Sequence, residues 1–398
     1  MLVLDKNEPT ADWVETLRQR YPCEKEMDRI LTRKMRLRSG PAYSPVTLDT
    51  LVAGTKSLLE SEIGSTFELT DANWLSGGAS KLQMQFMLKW NSPDAGWTET
   101  PMVLRMEPAE SISETSRLRE FQIIRALAGR VPVPPTYWVD ANAEHLPYPA
   151  IIYGFAEGVT KPTTASSNVS GVGTSMPSSV RQSLGVQLAE QLADIHTFDW
   201  RQADMDAFDS PAPGTQAVEW QLNRWERVWE EDANEDVPLM RLAAAWLREN
   251  MPSVEQPCAI HGDYRVGNFL FTEHDTKISA WLDWELSYIG DPHEDLAWVS
   301  KNIFGHLAED GETFLVGGLI PQDEFFRRYE QRSGITVNPD TLRYYDLFSN
   351  YKGVVITLAT AYRVTLNGKT HQDVLVAWLS GIAYMMLDDL RKQLEEVL

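Results

Sequence analysis

The stretch from His261 to Asp295 concentrates the side chains of this chain best suited to chemistry. It reads His261-Gly262-Asp263-Tyr264-Arg265-Val266-Gly267-Asn268, then an apolar strand, then Leu282-Asp283-Trp284-Glu285, then Gly290-Asp291-Pro292 and Asp295. A carboxylate at Asp263 can accept or orient the proton of an attacking hydroxyl, a role that contributes on the order of 10²–10⁴-fold. Asn268, five residues on, and Asp283, delivered by the strand-like stretch 278–282, offer the hard oxygens that Mg²⁺ prefers. Arg265 adds a cation two residues after Asp263, where charge on a transferred phosphoryl group could be met. His261 suits bracing of the loop better than proton transfer, and Asp295 suits anchoring it from a helix start. Together these are the parts of phosphoryl transfer, in which a protein supplies positioning and charge neutralisation.

The elements upstream must carry the other half of such a site. The stretch 67–75 reads as a strand and runs into Ser76-Gly77-Gly78-Ala79-Ser80. Gly77 and Gly78 let backbone N–H groups approach the phosphates of ATP, and Ser80 adds a hydroxyl. A second strand, 81–90, alternates with Leu82, Met84, Phe86 and Leu88 on its apolar face. A turn at 91–96 leads to a third strand, 101–106, which holds Arg105 as a phosphate cation. A helix over 113–127 puts Leu118, Phe121, Ile124 and Leu127 on one face and offers Glu120 as the partner of Arg105. Strands at 137–139 and 150–153 follow, and the segment from Tyr153 through Phe155 to Gly158 is expected to meet the adenine if a nucleotide binds between the lobes. The Ser-, Thr-, Gly- and Pro-rich stretch 160–179 reads as a loop. Beyond it the pattern is helical over 180–196, 216–231 and 239–250, and mainly helical again after the opening motif.

Composition limits the alternatives. The 398 residues suffice for two lobes with a real core, and 43% hydrophobic residues exclude global disorder. A net charge of -21, from 36 basic and 57 acidic residues, disfavours nucleic acid and anionic membranes as partners. Cys23 and Cys258 form neither a metal cluster nor a disulfide framework, which suits a reducing cytoplasm. The first residues show no signal peptide, and the longest apolar run, 374–387, is short for a bilayer and is expected to form a buried helix. Gly368-Lys369-Thr370 is not a phosphate-binding loop of the Walker type, since that motif needs glycine where Arg363 stands. The role of residues 1–45, with a basic run from Arg29 to Arg38, is left open.

His261-Gly262-Asp263 with Gly267-Asn268, Leu282-Asp283-Trp284-Glu285, and Gly290-Asp291-Pro292 with Asp295-Leu296-Ala297 resemble the aminoglycoside phosphotransferase/choline kinase family. Leu192-Ala193 with Ile195-His196, Ser76-Gly77-Gly78, Val103-Leu104-Arg105 and Arg119-Glu120 extend the likeness from about residue 67 to near 390. The resemblance implies an α+β, bilobal protein-kinase-like fold: a small antiparallel β-sheet lobe with one helix and a larger, mainly helical lobe. It divides the chain into an N-terminal helical extension (1–66), a nucleotide-binding lobe (67–157) and a catalytic, acceptor-binding lobe (158–398). It implies ATP and magnesium as cofactors and a small hydroxylated substrate. The motif also looks like the branch fused to certain acyl-CoA dehydrogenases, which implies a hydroxy acid or its acyl-CoA ester as acceptor. The acidic balance instead favours a cationic amine, and both classes stay open, as does a catalytically silent nucleotide-binding protein. Arg105 departs from the family's usual lysine; it keeps the charge but changes the geometry of its grip.

Overall fold

The structure, a computed structural model, describes residues 5–40, 44–75, 81–163, 176–370 and 373–398. Three helices come first: α1 (Ala11–Arg20), α2 (Lys25–Leu37) and α3 (Leu48–Ile63). The Thr10 and Thr47 hydroxyls accept from the Trp13 and Thr50 amides and so cap α1 and α3. Gly64, at φ 62°, ends α3 in the left-handed region that favours glycine.

Alternating strands build the sheet that follows. β1 (Glu68–Trp74), β2 (Leu82–Ser92), β3 (Gly96–Met106), β4 (Thr136–Asp140) and β5 (Ala150–Gly154) lie in the order β1-β2-β3-β5-β4, each pair antiparallel. Leu82, Met84, Phe86 and Leu88 share one face and pack with Leu51, Leu58 and Leu59 of α3. Val103, Ile151 and Tyr153 share the other and pack with Ile123, Ile124 and Leu127 of α4 (Arg117–Leu127). The sheet is thus covered on both faces. The pleat puts Arg105 on the same face as Val103, where α4 brings Glu120.

The second lobe begins with α5 (Ser178–His196), α6 (Gln216–Asp232) and α7 (Pro238–Glu249). β6 (Cys258–Ile260), β7 (Phe269–Thr272), β8 (Lys277–Trp281) and β9 (Tyr288–Gly290) then form two antiparallel ribbons, β6 with β9 and β7 with β8. These ribbons present the loops that hold Asp263 and Asp283. α8 (His293–Val299) is followed by a small sheet of β10 (His306–Leu307), β11 (Phe314–Val316) and β12 (Ile320–Pro321). The chain ends in α9 (Gln322–Ser333), α10 (Pro339–Val354), a π-helix over Val355–Ala361, α11 (Tyr362–Leu366) and α12 (Asp373–Val397).

The fold is α+β and bilobal, as the sequence led us to expect. The buried helix expected at 374–387 is corrected: it lies in α12, where Val376, Ala383 and Met386 are buried but Val374, Trp378 and Tyr384 are exposed. The run is apolar all round, and only one of its faces meets the core. No helix among the described residues is long and apolar enough to cross a membrane.

Candidate active site

The loop after β6 is held by one buried carboxylate. Asp295, at the start of α8, accepts from the His261 amide at 2.7 Å and the Gly262 amide at 2.8 Å. Burial works to raise its pKa, but the hydrogen bond and charge of His196, with the His261 contacts, hold it below the usual range. Gly262 sits at φ 82°, and a Cβ there would stand 2.6 Å from the Leu286 carbonyl oxygen. Glycine is therefore required at that turn. His261 donates from Nε2 to the Leu282 carbonyl at 3.0 Å, which leaves Nδ1 to accept the Asp263 amide at 3.3 Å. Burial, acting against nearby carboxylates, holds its pKa below 6.5. His261 is thus a neutral brace that ties the two ribbon loops together.

Asp263 receives three donors. Its Oδ1 accepts from Trp298 Nε1 at 2.7 Å and Arg265 Nε at 3.0 Å, and its Oδ2 accepts from Asn268 Nδ2 at 2.6 Å. Asn268 also donates to the Asp263 carbonyl at 2.8 Å, closing the loop on itself. Arg265 stacks over Phe304, its guanidinium carbon 5.4 Å from the ring centre. Trp298 was not singled out from the sequence, although its place one helical turn after Asp295 puts it on the same face of α8. Lys352 had no local signal at all. It comes from α10, donates to the Gly262 carbonyl at 2.8 Å, pairs with Glu294 at 2.9 Å and lies 4.6 Å from the Trp298 ring centre.

Asp283 leaves β8 in the left-handed region, at φ 62°, a backbone state that aspartate tolerates better than most residues. This turn aims its carboxylate at the other lobe, where it pairs with Arg105. Arg105 also pairs with Glu120 at 2.7 Å and with Glu285 at 3.1 Å. Burial disfavours the Arg105 charge, yet Asp283, Glu120 and Glu285 raise its pKa well above the ordinary value. Lys81 holds Glu107 at 2.8 Å and lies 3.4 Å from Glu285, while Arg117 reaches Glu107, Glu120 and Glu285. Three cations therefore face four carboxylates across the lobe junction. Asp283 is the most exposed carboxylate of the four, its side chain 39% accessible, and its oxygens are of the hard kind that Mg²⁺ takes. Glu285 was quoted in its motif without a role, and Lys81 was given none, because their partners lie far away in sequence.

Between the lobes lies a cavity of about 520 Å³, lined by Val103, Tyr153, Phe155, Gly158, Leu270 and Leu282. Tyr153 is buried and Phe155 exposed. The structure brings Asp263, Arg265, His261 and Asn268 into one loop and Asp283, Arg105 and Glu120 into one ion-pair chain. The expected phosphate contacts at Gly77, Gly78 and Ser80 lie outside the described residues.

The profile described as "Phosphotransferase enzyme family" matches residues 91–343. Acyl-CoA dehydrogenase family member 10 of Mus musculus is 25% identical over 279 residues, which is 67% of this chain and 25% of that protein. Acyl-CoA dehydrogenase family member 11 of Mus musculus is 28% identical over 204 residues, 49% of this chain and 26% of that protein. The chain thus spans about a quarter of the length of these relatives. Among solved structures, a Ralstonia eutropha protein designated an aminoglycoside phosphotransferase superposes with a TM-score of 0.64 at 21% identity, covering 87% of this chain and 98% of that one. Macrolide 2'-phosphotransferase type I gives 0.51 at 18% identity, covering 84% and 98%. These two likenesses concern the bilobal kinase-like fold.

Proposed function

The chain belongs to the phosphotransferase enzyme family, and from that premise we propose that it moves the γ-phosphate of ATP to a hydroxyl of a small molecule, with magnesium. The observation that carries this reading is the Asp263 carboxylate, fixed by Trp298 and Asn268 in a loop that His261 ties to the one leading into Asp283. Asp263 accepts or orients the acceptor hydroxyl's proton. Asn268 and Asp283 would hold the metal, which supplies neutralisation of phosphate charge when bound. Arg105, poised by Glu120, would grip phosphate once Asp283 turns to the metal. The adenine would lie in the cavity beside Tyr153 and Phe155, with Gly77, Gly78 and Ser80 over the phosphates. Arg265 orients Asp263 and would offer a cation to the transferred group. On this reading 67–157 is the nucleotide lobe, 158–398 carries the acceptor, and 1–66 is an extension.

Two acceptor classes are carried forward. The aminoglycoside designation of the Ralstonia eutropha neighbour supports an amine-bearing acceptor, and the acyl-CoA dehydrogenase names of the sequence relatives support a hydroxy acid or its thioester. The test is Mg-ATP consumption with detection of a phosphorylated product across both classes. Asp263→Ala should retain nucleotide binding and lose roughly 10²–10⁴-fold in turnover. Full turnover in that variant would sink the assignment. ATP binding without consumption by any acceptor would favour a silent nucleotide-binding protein.

A further inference from the structure

Buried cations in this protein follow a rule with one exception. Among the described residues, every other buried lysine or arginine holds a carboxylate: Lys34 and Arg38 hold Asp232, Lys81 holds Glu107, and Arg119 holds Glu24. Arg227, Lys301, Lys352 and Arg363 hold Glu231, Asp346, Glu294 and Glu110 in the same way. Arg105 and Arg117 sit in the junction cluster, and Arg181 holds Glu309. Arg224 of α6 is 2% exposed, and none of the described carboxylates lies within ion-pair distance of it. Its described contacts are a long bond from Nη2 to the Glu114 carbonyl, at 3.5 Å, and the face of Trp225, 4.7 Å from the guanidinium carbon.

The carboxylates nearest in electrostatic influence are already engaged. Glu24 takes Arg119 at 2.8 Å on one oxygen and Gln221 at 3.1 Å on the other. Glu294 takes Lys352 at 2.9 Å on one oxygen and the Tyr288 hydroxyl on the other. Burial, incompletely answered by Glu24 and reinforced by the like charge of Arg119, lowers the Arg224 pKa. An uncompensated buried charge is costly, and a fold that pairs its other buried cations has no structural need for this one.

Its place gives it a use. Glu114 belongs to the connection between β3, which carries Arg105, and α4, which carries Glu120. Glu294 belongs to α8, beside Asp295, and shares Lys352 with the catalytic loop through the Gly262 carbonyl. α6 itself packs on β9, the strand that leads into α8. Arg224 thus reaches from α6 to the connection between β3 and α4, and it is not among the residues that line the nucleotide cavity.

We infer that Arg224 is a specificity-determining residue whose counter-ion is an anionic group of the phosphate acceptor. This rests on the phosphotransferase reading and deepens it: the acceptor carries a carboxylate or phosphate some way from its reacting hydroxyl, and a cationic amine is disfavoured. Guanidinium binds either group through two parallel N–H bonds, which also fixes the orientation of the molecule.

The test compares the intact protein with Arg224→Gln and Arg224→Lys. The acceptors are 3-hydroxybutanoate, its coenzyme A thioester, the uncharged 1,3-butanediol and the cationic choline. The wild type should prefer the anionic acceptors. In Arg224→Gln the ratio of kcat/KM for an anionic acceptor to that for butanediol should fall about 10²-fold, mostly in KM, with partial retention in Arg224→Lys. Loss confined to 3-hydroxybutanoate assigns Arg224 to a carboxylate; loss confined to the thioester assigns it to the phosphates of coenzyme A. An equal loss on charged and uncharged acceptors, an unchanged ratio, or a wild-type preference for choline overturns the inference. Calorimetric titration of 3-hydroxybutanoate and its thioester into each protein, without nucleotide, separates this failure from failure of the phosphotransferase reading. Binding that weakens in Arg224→Gln supports the subsite even where no turnover is found. Absence of binding of both compounds to the wild type removes it.

Discussion

His261 has a charge state that folding dictates. Its Nε2 donates to one ribbon loop and its Nδ1 accepts from the other, so a second proton would remove the hydrogen bond accepted from the Asp263 N–H. Its folded pKa lies below 6.5 because burial disfavours the imidazolium. The unfolded chain therefore binds more protons than the folded one as pH falls through 6.5, and stability drops. Above 6.5 this contribution is fully present. Asp295 adds to the loss at lower pH, since its folded pKa is held below 3.8. Thermal unfolding between pH 7.5 and 5 should show a midpoint that falls with pH, and His261→Gln should flatten that slope; equal slopes would contradict the neutral-brace role. His261, Asp263, Asn268 and Asp283 were legible because the motifs that hold them fall within two adjoining loops. The sequence did not disclose Lys352, whose role arises from what surrounds it after folding.

At the scale of elements, the turn at Gly262 joins β6 to Asp263. Gly262→Ala meets both a positive φ and a carbonyl oxygen 2.6 Å from the new Cβ. The neighbour is backbone and cannot rotate away. The expected cost is about 2 kcal/mol or more, read by denaturant unfolding, with a loss of turnover larger than the loss of nucleotide affinity. Wild-type stability in this variant would mean that the loop is softer than its hydrogen bonds imply. Elements with strong period were legible: β2 alternates cleanly because one face meets α3, and α5 keeps Leu184, Leu188 and Leu192 on its core stripe. The two- and three-residue strands β10, β11 and β12 were not, because pairs this short carry no period. α12 misled in burial, since apolar residues on all faces do not say which face is covered.

At the scale of the whole molecule, the first helices bind the two lobes together. Glu24, at the head of α2, holds Arg119 of α4 at 2.8 Å and Gln221 of α6 at 3.1 Å, while Glu26 accepts from the Ser116 hydroxyl that caps α4. α4 also carries Glu120, so the extension braces the helix that orients Arg105. Glu24→Ala leaves Arg119 buried without a counter-charge and should destabilise by about 3–5 kcal/mol in denaturant unfolding. Glu24→Leu with Arg119→Met should recover most of that; a mild single variant would show that the brace is dispensable. The basic run 29–38 had no readable purpose in sequence, because Asp232, the partner of Lys34 and Arg38, lies far along the chain. The same Asp232 is held by Arg363, on the rod formed by α10, the π-helix and α11. Lys352, earlier on that rod, reaches the catalytic loop. A π turn is wider than an α turn, so each of the residues from Val355 to Ala361 rotates the rod by less. Arg363 therefore leaves in a direction that an unbroken α-helix would not give it. The length of this stretch encodes an angle: adding or removing one residue would re-phase the two ends, and the catalytic loop and the extension could no longer be addressed by one rod.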